Sequence, residues 1–369
     1  MGYLQPDPAL PQDDGRVGVN QLGFAFSDLT ALRAAGFDAI IDVRSPAEYA
    51  EDHIPGAISM PVLSDAERAH VGTIYKQESP FKARKVGAAL VARNAAHHIE
   101  TQLMGHDGGW RPLVYCWRGG QRSGSFAAIL QQIGWRAEVF AGGYRTWRRH
   151  VVASLYDTTL PFRVLRLDGY TGTAKTEVLQ RVAALGGQVL DLEGLACHRG
   201  SILGDVVGAL PAQKGFETSL VAAFAGFDPQ RPLLVEAESA RIGTLRLPPA
   251  LWVAMRQAPR IVLAAEQVAR ARFLAEIYAD LMADPAGLSR RLNGLRALAG
   301  HAVVDDWLAM LEAGQAEALA ASLIALHYDP AYARLRQGDT TAIIAQIDGG
   351  DLGDAALDRA AQAVLAALV

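Results

Sequence analysis

Residues Leu113–Ser125 read LVYCWRGGQRSGS. The run PLVYC (Pro112–Cys116) is short, apolar and β-rich. The segment after it, SGSFAAILQQIG (Ser123–Gly134), spaces its apolar residues as a helix does, between serines and a closing glycine. A strand therefore hands over to a helix across a loop that holds Cys116, Arg118, Gly119, Gly120 and Arg122. In open α/β sheets ligands bind where strands end and helices begin. The helix start offers unpaired N–H groups and a positive dipole end, and the two glycines let the loop curl so that N–H groups converge. Arg118 and Arg122 add fixed positive charge. Each effect favours a thiolate, so Cys116 is expected to be a nucleophile, ionised in large part at neutral pH. The Cys-x5-Arg spacing from Cys116 to Arg122 suits a tetrahedral oxyanion, with the arginine fork matching two oxygens. A buried structural cysteine at a strand end is the plain alternative, and the glycines and arginines argue against it.

Working outward, DAIIDVR (Asp38–Arg44) and AEVFAGG (Ala137–Gly143) are two more strand candidates. The alternation of strands and helices predicts an α/β fold with an open parallel sheet. A break falls at YDTTLP (Tyr156–Pro161), dividing the chain into residues 1–157, with a core over 18–151, and residues 158–369. The second unit starts with the strand FRVLRLDG (Phe162–Gly169) and the helix KTEVLQRVAALGG (Lys175–Gly187). RPLLVEAES (Arg231–Ser239) and RIVLAAE (Arg260–Glu266) are further strands. From about Val268 the pattern reads as helical and Ala/Leu/Arg-rich to the end.

Between that strand and helix lies DGYTGTAKT. It nearly fits G-x-x-x-x-G-K-[ST], with Gly169, Thr171, Gly172, Lys175 and Thr176 as phosphate-binding residues and Ala174 where the second glycine is usual. Phosphate binding does not by itself mean nucleotide hydrolysis. Glu236 or Glu238, at the end of the PLLVEAES strand, would lie near a Mg²⁺ ion if one is used; the metal itself stays open. Glu193, His198, Arg199 and Ser201 of DLEGLACHRGS face the same cleft in this reading. Cys197 reads as a small wall or core residue.

The chain has 369 residues, a net charge of −4 and only two cysteines. That excludes a disulfide scaffold and a wholesale basic nucleic-acid binder. The N-terminus has no signal-peptide pattern and no apolar run is long enough for a membrane span, so a cytoplasmic, non-membrane protein is expected. The charge is uneven: from Arg111 to His150 there are seven arginines against one acid, Glu138. Lys82, Arg84, Lys85, Arg145, Arg148 and Arg149 are candidates for holding a polyanion. Trp117, Tyr144 and Trp147 read either as stacking platforms or as core.

DVRSPAEYAEDHIPGAISMP (Asp42–Pro61), the Cys116 loop and GGYRTW (Gly142–Trp147) together resemble the rhodanese-like domains. That resemblance implies chalcogen transfer through Cys116, with Asp42 and Arg44 supporting the active loop. Tyr115 stands where cysteine phosphatases usually carry histidine. Adding VGTIYKQESPFKARKVGAALVARN (Val71–Asn94), DGYTGTAKT, DLEGLACHRGS, VEAESARIG (Val235–Gly243) and HYDPAY (His327–Tyr332), nearly the whole chain resembles the tRNA 2-selenouridine synthases. The resemblance implies a rhodanese domain fused to a P-loop domain with a helical C-terminal extension. It implies conversion of 2-thiouridine to 2-selenouridine at the wobble position of the tRNAs for Lys, Glu and Gln, through S-geranyl-2-thiouridine. Geranyl diphosphate and selenophosphate are then co-substrates, no tightly bound cofactor is expected, and a selenophosphate synthase is a candidate partner. The rival from another class is a rhodanese-type sulfurtransferase or Cys-x5-Arg phosphatase fused to an NTP-dependent kinase-like domain.

Overall fold

In the computed structural model, which describes residues 23–118, 120–198 and 210–368, the first half is built on a four-stranded sheet. Its strands are β1 (Ala39–Asp42), β2 (Ala57–Ser59), β3 (Pro112–Tyr115) and β4 (Glu138–Val139), in the order β2-β1-β3-β4, all parallel. A parallel sheet needs cover on both faces, and β3 supplies apolar residues to each. Leu113 and Tyr115 enter one core cluster, while Val114 and Cys116 enter another. The helix Gln121–Ile133 covers the second face with Phe126, Ala127 and Leu130. Gly134, at φ +111°, stops it. The strand expected over Ala137–Gly143 is shorter than its apolar run, because Phe140 makes only a single bridge to Phe24 and the chain then turns at Gly142. Between β2 and β3 two helices, Asp65–Gln77 and Pro80–His98, form an antiparallel pair, broken at Glu78 and restarted by Ser79, whose Oγ accepts from the Lys82 N–H.

The second sheet contains β5 (Val164–Asp168), β6 (Gln188–Leu190), β7 (Leu233–Glu236), β10 (Arg260–Ala264) and β11 (Ile343–Asp348). Its order is β11-β10-β5-β7-β6 and every pairing is parallel. Two short strands, β8 (Arg241–Ile242) and β9 (Leu245–Arg246), form a separate antiparallel hairpin. The strand leading into the glycine-rich loop, β5, is thus the centre of the sheet, buried between its neighbours.

The reading of residues after Val268 as helical to the end is corrected by β11. The sequence IIAQID carries β-branched residues between Gly338 and the Gly349–Gly350 pair, but the Ala/Leu-rich helices on both sides obscure it. As an edge strand it is mostly exposed, so it lacks a continuous apolar signature. After it, the helix Asp354–Ala367 returns to the sheet, placing Ala360, Ala361 and Val364 in the cluster that also holds Leu165, Leu167 and Val178. The helices between Gln267 and Arg336 form their own smaller clusters around Trp307 and Ile324.

The two halves share one core. Tyr144, Trp147 and Val151 lie in the same cluster as Phe216, Leu220 and Leu233. At this junction Trp147 Nε1 donates to Thr218 Oγ1 at 3.2 Å, Arg148 pairs with Glu217, and Lys214 Nζ meets Glu51 at 2.7 Å. Among the described residues no helix is long and apolar enough to cross a membrane.

Candidate active sites

Cys116 follows the last residue of β3 and is almost fully buried. Its carbonyl accepts from Tyr144 N at 2.8 Å, and the Trp117 carbonyl accepts from Arg145 N at 3.0 Å. The first turn of the helix Gly143–Val152 therefore pins the start of the loop. Gly120 caps the helix Gln121–Ile133, and Ser123, one turn in, points its Oγ at Cys116 Sγ from 3.2 Å. Gly119 lies outside the described residues. Arg118 is exposed. Arg122 is not idle: its Nη1 donates to Glu48 Oε2 at 2.9 Å, and Arg68 reaches the same carboxylate. Burial raises the Glu48 carboxyl and these guanidinium groups more than offset it, holding it below its ordinary range. An oxyanion entering this loop competes with Glu48 for Arg122.

Behind the loop, Asp42 and Arg44 form a buried pair at 2.6 Å. Arg44 Nη2 also donates to the Asp52 carbonyl, and its guanidinium carbon lies 3.9 Å from the centre of the Tyr144 ring. The pair thus ties the end of β1 to the helix that pins Cys116.

The second loop runs from β5 to the helix Lys175–Ala184. A Cβ at Gly169 would lie 2.5 Å from Thr173 Oγ1 and 2.7 Å from the Leu263 carbonyl, so only glycine fits. Gly172 has φ +83° and sits against Leu274, where a Cβ would come within 2.9 Å. Ala174 takes φ +60°, the left-handed conformation that glycine adopts without cost. An alanine there costs about 1–2 kcal/mol, which the loop tolerates while keeping its shape. Lys175 Nζ folds back onto the Gly169 carbonyl at 3.1 Å. Burial opposes its charge, but Tyr332 and the carboxylates of Glu236, Glu238 and Glu193 hold its pKa above the ordinary lysine value.

Those three carboxylates converge. Ligand atoms of Glu193, Glu236 and Glu238 all lie within 4.8 Å of one another. Thr176 Oγ1 is 3.4 Å from both Glu193 and Glu236. Burial, then mutual repulsion, pushes each carboxyl up to about 8. Glu236 Oε2 is buried and has no hydrogen-bond partner among the described residues. An all-oxygen set with an unsatisfied buried acceptor suits a hard cation such as Mg²⁺.

The structure adds residues that spacing alone did not single out. Arg270, buried on the helix Gln267–Ile277, donates to the Thr171 carbonyl at 2.9 Å and forks onto Asp329 at 2.6 and 3.0 Å. Arg336 reaches Asp168 at 2.5 Å and lies over the Tyr170 ring at 4.5 Å, and the Tyr332 ring centre is 5.7 Å from Lys175 Nζ. HYDPAY, visible in the sequence without a role, is thus the segment that closes over the phosphate loop.

Among the basic candidates the reading of Arg148 changes, and for the aromatic ones the core option holds for Tyr144 and Trp147. Arg148 is committed to Glu217 at the junction of the two halves. Tyr144 and Trp147 are core, at 1% and 0% exposure, with Trp117 half-buried against Tyr144. Lys82, Arg84, Lys85, Arg145 and Arg149 are exposed, and the open aromatic among them is Phe81, 63% exposed, with Arg84 and Lys85 over its ring. Cys197 is exposed rather than a wall residue, because it caps the short helix Leu192–Ala196 at φ +50°. Arg199 and Ser201 lie outside the described residues.

The family model of the rhodanese-like domain matches residues 26–150, and that of the tRNA 2-selenouridine synthase AAA domain matches residues 162–301. The tRNA 2-selenouridine synthase of Shewanella denitrificans is 31% identical over 308 residues, 79% of this chain and 83% of that one. Those of Alcanivorax borkumensis and Bordetella bronchiseptica are each 32% identical, covering 79% and 83% of this chain and 88% and 90% of their own. The chain belongs to the tRNA 2-selenouridine synthase family. It is accordingly a tRNA-modifying transferase that works with a selenium donor. The Cys116 loop lies in the part matched by the rhodanese-like model and the Lys175 loop in the part matched by the family's AAA domain model.

Proposed function

We propose that this enzyme makes 2-selenouridine at the wobble position of the tRNAs for Lys, Glu and Gln in two chemically distinct steps, one at each loop. In the first, the 2-thio sulfur attacks C1 of geranyl diphosphate; the C1–O bond breaks, diphosphate leaves and the uracil N3 proton is lost. S-alkylation converts a poor leaving group into a thiol. In the second, the selenium of selenophosphate attacks C2 and geranyl thiol departs; water then cleaves the P–Se bond and inorganic phosphate leaves.

What supports this reading is the presence, in two halves that pack through one core cluster, of a thiol at a strand end and a phosphate loop backed by three carboxylates. The N–H groups of Gly169–Thr176 and the buried Lys175 receive the negative charge that builds on departing diphosphate. Lys175 is fixed beforehand by the Gly169 carbonyl, so little reorganisation is needed. Glu193, Glu236, Glu238 and Thr176 would hold Mg²⁺, which when bound supplies further neutralisation of diphosphate charge. At the other loop, Cys116 is the thiol that faces the selenium donor, Ser123 donates to its sulfur at 3.2 Å, and Arg118 with Arg122 receives the phosphate end of the donor. Lys82, Arg84, Lys85, Arg145 and Arg149 contact tRNA phosphates. The enzyme works in the cytoplasm, supplied by a selenophosphate synthase.

The test incubates the protein with thiolated tRNA, geranyl diphosphate and selenophosphate and follows nucleosides by mass spectrometry. Cys116→Ala is expected to accumulate S-geranyl-2-thiouridine without selenation, and Lys175→Ala to lose geranylation. Wild-type protein that makes neither product while hydrolysing ATP or a phosphate ester would instead favour the sulfurtransferase or phosphatase alternative.

A further inference from the structure

The helix Gln267–Ile277 runs alongside both the phosphate loop and a separate apolar cleft. Arg270, Leu274 and Tyr278, four residues apart, fall on one face of it and of its C-terminal boundary. Arg270 holds the Thr171 carbonyl, and Leu274 packs against Gly172, so close that a Cβ at Gly172 would lie 2.9 Å from its Cδ1. Leu274 also forms the near wall of a cleft that continues past Tyr278 to Met282, Leu288 and Leu319. That cleft is lined by leucine, alanine, methionine and tyrosine, with no charged side chain. Its cavity volume is about 50 Å³ and it opens to solvent, so an occupant lies along it as in a groove. From Arg270 to Tyr278 the helix rises about 12 Å, enough to carry a ligand from a charged end to an apolar one.

We propose that this cleft is the subsite for the geranyl chain, whose diphosphate is held by Gly169–Thr176, with Leu274 as the shared wall that turns the chain from one into the other. The proposal rests on the geranyl diphosphate reading above. Three features carry it: Leu274 touches the phosphate loop at Gly172 and also lines the cleft; the lining suits a hydrocarbon and not a nucleobase, which needs polar partners at its edges; and Arg270, the buried charged side chain of the helix, binds the loop while Arg272 and Glu276 are exposed and form no part of the cleft lining. A methyl-branched C10 chain matches a lining of leucine and methionine, which adapts to irregular shapes.

The experiment compares binding of geranyl diphosphate and inorganic diphosphate by calorimetry. Wild-type protein is expected to bind the geranyl compound at least tenfold more tightly. Ala275→Leu and Ala316→Leu each add bulk to the cleft from a half-buried position. Each is expected to weaken geranyl diphosphate at least tenfold and inorganic diphosphate less than twofold. A diazirine-bearing geranyl diphosphate cross-linked to wild-type protein is expected to label peptides within residues 274–288 and 316–323, a readout that needs no variant. Label confined to other peptides overturns the proposal, as do variants that keep the wild-type preference or lose both ligands equally. Wild-type protein that binds inorganic diphosphate with no preference for the geranyl compound fails the geranyl reading itself. A preference retained by both variants fails only the cleft.

Discussion

Ser123 Oγ lies 3.2 Å from the sulfur of Cys116 and 3.3 Å from the carbonyl oxygen of Gly120, so one hydroxyl proton faces two acceptors. A thiolate is the stronger acceptor, and a hydrogen bond to a charged group contributes about 1.5–3 kcal/mol. Ser123 is fully buried, so Ser123→Ala removes the donor with little change of shape. Selenation is expected to slow by roughly ten- to a hundredfold, with geranylation unchanged. Iodoacetamide labelling of Cys116 at pH 7 should slow in parallel. Equal labelling rates in the two proteins would show that the hydroxyl does not act on the sulfur.

The geometry of the carboxylate cluster fits a cation. Glu236 Oε2 is buried without a partner among the described residues, and Glu193 and Glu238 lie beside it. Mg²⁺ is expected to raise the melting temperature of the wild-type protein by several degrees, because a ligand that binds only the folded state stabilises it. Glu236→Gln should lose most of that increase. Without Mg²⁺ the same variant should be at least as stable as wild type, since one of three mutually repelling carboxyls is gone. Differential scanning fluorimetry with and without Mg²⁺ checks both; an equal Mg²⁺ effect in both proteins rules out the assignment.

We propose the exposed start of the helix Pro80–His98, where Arg84 and Lys85 lie over the Phe81 ring, as a tRNA-binding surface. Changing Lys82, Arg84 and Lys85 together to alanine is expected to weaken tRNA binding at least tenfold and to flatten its salt dependence, as loss of phosphate contacts does. Phe81→Ala should weaken binding by about 1–3 kcal/mol with the salt slope kept, the mark of a stacking contact. Arg148→Ala should instead lower thermal stability, because Arg148 serves Glu217 at the junction. Filter binding over a salt series separates these outcomes. Unchanged affinity in the triple variant would remove this surface from consideration.

Much of this was legible in the sequence, for a physical reason. Both loops are local: strand, glycine-rich turn and helix follow one another within about twenty residues, so Cys116 and Lys175 and their nearest neighbours could be placed from spacing alone. The partners that arrive from distant segments could not. Glu48 reaches Arg122 across 74 residues, and Arg270 and Asp329 meet 59 residues apart. Nothing in Arg148 or Trp147 distinguishes a surface residue from a junction residue until the second half packs against the first. β11 escaped because an exposed edge strand has neither a buried run nor a clean alternation.

That strand is held by a charge cluster whose effect depends on pH. Asp339, just before β11, accepts from Thr341 N at 3.1 Å and Thr341 Oγ1 at 2.6 Å, and pairs with Arg166 at 3.1 Å. Partial burial raises its carboxyl, but the Thr341 hydrogen bonds, Arg166 and Arg260 prevail and bring it down to about 2. The unfolded value is about 3.9. A carboxyl lowered on folding stabilises fully above the unfolded value and loses that contribution as pH falls through the folded one. Asp339→Asn is therefore expected to lower the melting temperature at pH 7 by about 2–4 °C. The gap to wild type should narrow as pH falls from 4 towards 2. Amides of residues 343–348 should exchange faster in the variant, because β11 is the strand that the cluster anchors to β10. A gap that stays constant from pH 7 to pH 2 would mean that the asparagine acts through packing and not through charge.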